Sequence, residues 1–130
     1  GVQPGKIVAV LRWELEWGSN FDDAQRKQLL SLFEQGLPVP VLDNAPEPPD
    51  SISWVLPLFR DLKSCRQASM AGMLPIPVPA MRAYYLDCGY PPHQWPEVKA
   101  YLVALDAEEL KFYYEKRPSS SPSEPKEAGK

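Results

Sequence analysis

Sixteen prolines punctuate this 130-residue chain, and no other feature limits its fold as strongly. Each proline lacks a backbone N–H and holds φ near −65°, so a central strand excludes it and a helix accepts it only in the first turn. The prolines cut the chain into short elements and leave little room for a large sheet. The reading is therefore mainly α: a small helical domain of four to five helices.

The punctuation is most regular from Leu74 to Lys116. Pro79 suits the first turn of a helix whose body is Ala80 to Cys88. Gly89 then supplies a residue able to take positive φ, and Pro91-Pro92 bar continuation. Met81, Tyr84, Tyr85 and Cys88 recur at the spacing of one helical face. Trp95-Pro96-Glu97 marks a second start, and the longest helical pattern in the chain follows. Its stripe is Val98, Tyr101, Leu102, Leu105, Phe112 and Tyr113, with Glu109 as an exception. Pro96 to Lys116 would span roughly 31 Å at ~1.5 Å per residue. Glu97 near its start and Lys116-Arg117 near its end complement the helix dipole.

Upstream, residues 6–17 admit two readings. Ile7, Ala9, Leu11, Trp13, Leu15 and Trp17 occupy every odd position, which is strand alternation. Ile7, Leu11 and Leu15 also fit i, i+4 spacing, as do Trp13 and Trp17, and Leu, Ala, Glu and Arg favour helix. Helix or strand stays open, with helix preferred because no partner strand is visible. Asn20 or Asp22 caps the next helix, and Asp22 with Gln25 has capping-box spacing. Leu29, Leu30 and Phe33 are its expected buried stripe; Gly36 ends it and Pro38 prevents resumption. Residues 38–50 form a proline-rich connector, read as extended. Ser51 or Ser53 leads into a helix with Pro57 in its first turn, Leu58, Leu62 and Cys65 inward, and Arg60, Lys63 and Gln67 toward water. Gln67 to Leu74 reads as a loop. Residues 1–117 are thus expected to be one domain and residues 118–130, almost devoid of apolar side chains, a disordered tail.

Little chemistry is visible. His93 is the only histidine and lies in a Pro-Pro-His-Gln turn with no motif-level partner. Cys65, Cys88 and His93 match no zinc spacing, so no metal and no cofactor is expected. Glu14 with Glu16 and Glu108 with Glu109 read as solvated pairs, and no glycine-rich phosphate loop is present. A net charge of −3 gives no reason to expect nucleic-acid or membrane binding. The basic face of Arg60, Lys63 and Arg66 is followed by a loop and not by a recognition helix. Without a signal pattern or an apolar span, and with two cysteines, the chain reads as cytoplasmic. It opens on Gly1 and not Met, which leaves open whether the native N-terminus is included. Tyr84, Tyr85, Tyr101, Phe112, Tyr113 and Tyr114 cannot all face inward, so some are expected at the surface, either contacting a protein or simply wet on one edge.

Several short motifs resemble small proteins of the tail-assembly region of tailed bacteriophages. They are Phe59-Arg60-Asp61-Leu62 through Arg66, Leu74-Pro75-Ile76-Pro77, Met81-Arg82-Ala83-Tyr84, Gly89, and Ala104-Leu105-Asp106 with Leu110. Val78 stands where relatives often carry Trp, and residues 1–50 fall outside the likeness. The resemblance implies a tail assembly chaperone: a non-enzymatic binder in the host cytoplasm that keeps the tape-measure protein, or another tail protein, soluble. It would use whichever of Tyr84, Tyr85, Tyr113 and Tyr114 face outward, with Trp95, and it leaves room for a homo-oligomer. The alternative is a small phage-encoded inhibitor or regulator of a host protein.

Overall fold

In a computed structural model that describes residues 3–69 and 72–116, the chain forms helices α1 (Gly5–Asn20), α2 (Asp23–Glu34), α3 (Pro40–Asp43), α4 (Val55–Leu62), α5 (Val78–Asp87) and α6 (Trp95–Lys116). Two strands, β1 (Ala68–Ser69) and β2 (Gly72–Met73), pair antiparallel between α4 and α5, with Ala68 opposite Met73. The mainly helical class is as expected. The helix beyond the expected four to five is α3, one turn inside the connector. The tail, 118–130, lies outside the described residues.

Helix α6 is the spine. Val98, Tyr101, Leu102, Leu105 and Phe112 are buried along it, in the stripe read from the sequence. Helices α1, α4 and α5 pack around this spine. Met81 and Tyr85 of α5 are buried against it, and Gly89, at φ 89°, turns the chain between the two helices. Helix α4 contributes Val55, Leu56, Leu58, Phe59 and Leu62, all buried.

Packing against α6 also settles the ambiguous N-terminal segment as helix. Its buried residues are Ile7, Val10 and Leu11, the i, i+3, i+4 set, while Ala9 is exposed. Strand alternation would put Ala9 inside and Val10 out. Ion pairs fasten the joint: Arg12 meets Glu16 at 2.9 Å on its own helix, and Glu108 at 3.1 Å and Glu115 at 2.6 Å on α6. The Arg12 guanidinium also sits 5.0 Å from the Phe112 ring centroid.

Four local expectations are corrected. The connector is not extended throughout: Pro40 takes a first-turn position, the Asp43 carboxylate accepts the Val39 N–H at 2.9 Å, and Val39 is buried. Cys65 does not face inward. Helix α4 ends at Leu62 and tightens into a 3-10 turn, Lys63–Cys65, which rotates the cysteine off the apolar stripe and leaves it exposed. Cys88, read on the inward stripe of α5, is likewise exposed, because α5 ends at Asp87. The segment read as a loop, Gln67 to Leu74, contains the β1–β2 pairing.

Candidate partner-binding surface

Helix α2 begins where the sequence places it. Asp22 accepts the Gln25 N–H at 2.8 Å while the Gln25 side chain accepts the Asp22 N–H at 2.9 Å, a complete capping box. Gly36, at φ 84°, ends it. The expected buried stripe does not exist: none of the twelve residues of α2 is buried. Leu29 is half-buried, and Leu30, Phe33 and the following Leu37 are 42%, 43% and 47% exposed. Spacing of i, i+3 sets Leu30 and Phe33 on one face of the helix, and Leu37 is exposed just past the Gly36 turn. The sequence reveals that this face is apolar but carries no information on whether another element covers it.

The helix is tethered at both ends rather than packed along its length. Arg26 donates to the carbonyls of Gly18 (3.2 Å) and Phe21, at the C-terminal end of α1, and pairs with Asp23. After α2, the Trp13 indole N–H donates to the Val41 carbonyl at 2.8 Å, drawing α3 back onto α1. Along α1, Trp13 stacks on Trp17 (5.6 Å between centroids) and Trp17 meets Phe21 at 5.4 Å. All three are half-buried, and the Trp13–Trp17 step is the i, i+4 spacing read from the sequence.

The aromatic candidates separate into two groups. Tyr85 is completely buried, its O–H donating to the Pro91 carbonyl at 2.7 Å. It presents no surface to a partner, because its position on α5 faces the spine. Trp95 lies half-buried, 5.5 Å from Tyr85, in a cluster that continues through Tyr90 to Trp54. Tyr84 is half-buried and donates to Asp61 at 3.0 Å; this hydrogen bond, and then burial, push its hydroxyl up to about 12. Burial raises the Tyr85 hydroxyl too. At the far end of α6, Tyr113 is half-buried and Tyr114 is 45% exposed, the two rings meeting edge-on at 5.0 Å. The Tyr114 O–H donates to the Met73 carbonyl at 2.7 Å, near the exposed Leu74.

The charged residues serve the fold. Glu14 pairs with Arg60, Glu16 and Glu108 with Arg12, and Glu109 with Lys63 at 2.6 Å and Arg66 at 2.6 Å. Arg66 also pairs with Asp106 and donates to the Leu74 carbonyl at 3.0 Å, while the buried Asp106 accepts the Ile76 N–H at 3.0 Å. Asp106 Oδ1 has no well-aligned hydrogen bond and meets the guanidinium as an ion pair only. The Arg66, Leu74–Ile76 and Asp106 motifs, distant in sequence, therefore close into one buried clasp. His93, Cys65 and Cys88 are all exposed. Among the described residues, no three His, Cys, Asp or Glu side chains are grouped to hold a metal ion, and no helix is long and apolar enough to cross a membrane.

A family model described as phage tail assembly chaperone fits residues 33–111, more than half the chain, from the end of α2 through most of α6. No curated protein and no solved structure matches.

Proposed function

The chain belongs to the phage tail assembly chaperone family, and on that premise we propose that it is a non-enzymatic binder holding an apolar helix of a tail protein, first of all the tape-measure protein, on the open face of α2. One observation carries the reading. A helix that buries none of its residues nonetheless presents Leu30 and Phe33 on one side, with Leu37 exposed just beyond its end. Such a face is costly in water and is kept where something docks. A client chain whose apolar stripe lacks its final neighbours fits it as a helix laid against a helix, through anchors at i and i+3. The half-buried row of Trp13, Trp17 and Phe21 borders the tethered end of α2 and extends the apolar ground. Tyr114 with Leu74 offers a second, smaller contact, while Tyr85 acts from inside by supporting Tyr90 and Trp95. Such a client is met in the host cytoplasm during tail assembly.

The test is co-expression with the tape-measure protein. The unaltered chain should keep it soluble and co-purify with it. Leu30→Glu combined with Phe33→Glu should abolish both effects, with the helical circular dichroism unchanged because neither side chain is buried. If the tape-measure protein is equally soluble with and without this chain, the reading fails and a host-directed inhibitor takes its place.

A further inference from the structure

We propose that, without a client, the open face of α2 closes on a second copy of the same chain, as an antiparallel helix pair about a two-fold axis. The argument rests on charge placement around the apolar face. Lys27 and Glu34 lie seven residues apart, two full turns, and so occupy the same flank of the helix beside Leu30. Both are exposed, and neither has an ion-pair partner among the described residues. Asp23, the other charge on that flank, is already paired with Arg26.

In an antiparallel pair, a two-fold axis brings the same flank of both helices together on one side. An axis passing between Leu30 and Ser31 sets Lys27 level with the partner's Glu34, and Glu34 level with the partner's Lys27. The same axis lays Leu30 on the partner's Leu30 and Phe33 across the partner's Leu29. One register therefore satisfies two free charges twice over and covers the apolar stripe. Another segment of this chain is a poor occupant: residues 117–130, which lie outside the described structure, contain no large apolar side chain. A helix of twelve residues forms an interface below standard size, so the dimer is weak and a client helix can displace it. The inference stands on the charges of this chain and can fail or hold whatever the client is.

Sedimentation equilibrium of the full chain without any client, at low salt and from about 10 μM to 1 mM, covers the range where so small an interface associates. The unaltered chain should dimerise reversibly. Lys27→Glu alone, or Glu34→Lys alone, turns two attractive contacts into two repulsive ones and should weaken association about tenfold. The double reversal K27E/E34K should restore it, and raised salt should narrow the gap between single variants and the unaltered chain. Leu30→Glu should give a monomer with the same helical content. A monomer across the whole range overturns the inference. So does a dimer indifferent to the single reversals, or a double reversal that restores nothing.

Discussion

Asp106 sits on the buried face of α6 because donors reach it from two other parts of the chain. Arg66 and the Ile76 N–H both converge on it, and the side chains of Arg66 and Asp106 are only 7% and 6% exposed. A buried charge is tolerated only while it stays paired. Arg66→Met should therefore cost about 3–5 kcal/mol, read from the urea midpoint, because it leaves Asp106 buried with no counter-charge. Asp106→Asn should cost less than Arg66→Met, since Glu109 still holds Arg66 and an amide oxygen can still accept the Ile76 N–H. Tyr84 gives the fold a second signature, in its response to alkali. An unfolded tyrosine loses its proton near pH 10; in the fold the Asp61 hydrogen bond and burial move that of Tyr84 up to about 12. A group whose folded value is raised stabilises fully below the unfolded value and loses that contribution as pH climbs through the folded one. Stability should accordingly start to fall above pH 10, and Tyr84→Phe should remove one tyrosine titrating near 12 from the ultraviolet difference spectrum. Neither role was legible in the sequence. Spacing placed Arg66 on a basic face with Arg60 and Lys63, and could not see acids forty residues further on.

At the scale of single elements, α6 and α2 carry the same kind of apolar stripe with opposite consequences. Leu105 is completely buried, so Leu105→Ala should cost roughly 2–5 kcal/mol in denaturant unfolding. Phe33→Ala, although it removes a larger side chain, should stay within about 0.5 kcal/mol of the parent, because the residue is 43% exposed and lies outside the core cluster. Equal losses at the two sites would mean that α2 is packed after all. The contrast marks what a sequence discloses. The capping box of α2, its glycine stop, the proline starts of α5 and α6 and the stripe of α6 are local devices, and all were readable. Whether a stripe is covered depends on where other elements dock, so the stripe of α2 was expected inside and lies outside. The same dependence left residues 6–17 open: alternation and helical spacing coincide there, and only docking of Ile7, Val10 and Leu11 on α6 decides between them. The α3 turn was hidden by the prolines around it, which suit an extended chain and a first helical turn equally well.

As a whole, the molecule divides into a packed body and an arm. The core cluster draws on α1, α4, α5, α6 and Ile76; α2 contributes nothing to it and is held by Arg26 and the capping box at its start and by the Trp13–Val41 hydrogen bond beyond its end. The aromatic surface expected from the sequence belongs to the body. The count of aromatics correctly required some at the surface, yet it could not choose among them, and packing took Tyr85 inside while leaving Tyr114 out. A second exposed face is on the arm, where Leu30 and Phe33 looked like ordinary core. Opening free energies within one protein range from nearly zero up to the global value, according to how much packing each unit would lose. Unfolding α2 loses no buried side chain, whereas unfolding the middle of α6 exposes Leu102 and Leu105 and with them the core. Native-state hydrogen exchange should therefore show α2 amides exchanging through a local opening several kcal/mol below that of the central α6 amides. Denaturant at sub-melting concentrations should accelerate α6 and leave α2 nearly unaffected, because the local opening exposes little new surface. Asp22→Ala, which removes the cap, should speed exchange in α2 alone. Whatever covers the face of α2 should slow its exchange in proportion to occupancy and leave α6 unchanged. Matching exchange in α2 and α6 in the uncovered chain would show that arm and body unfold as one.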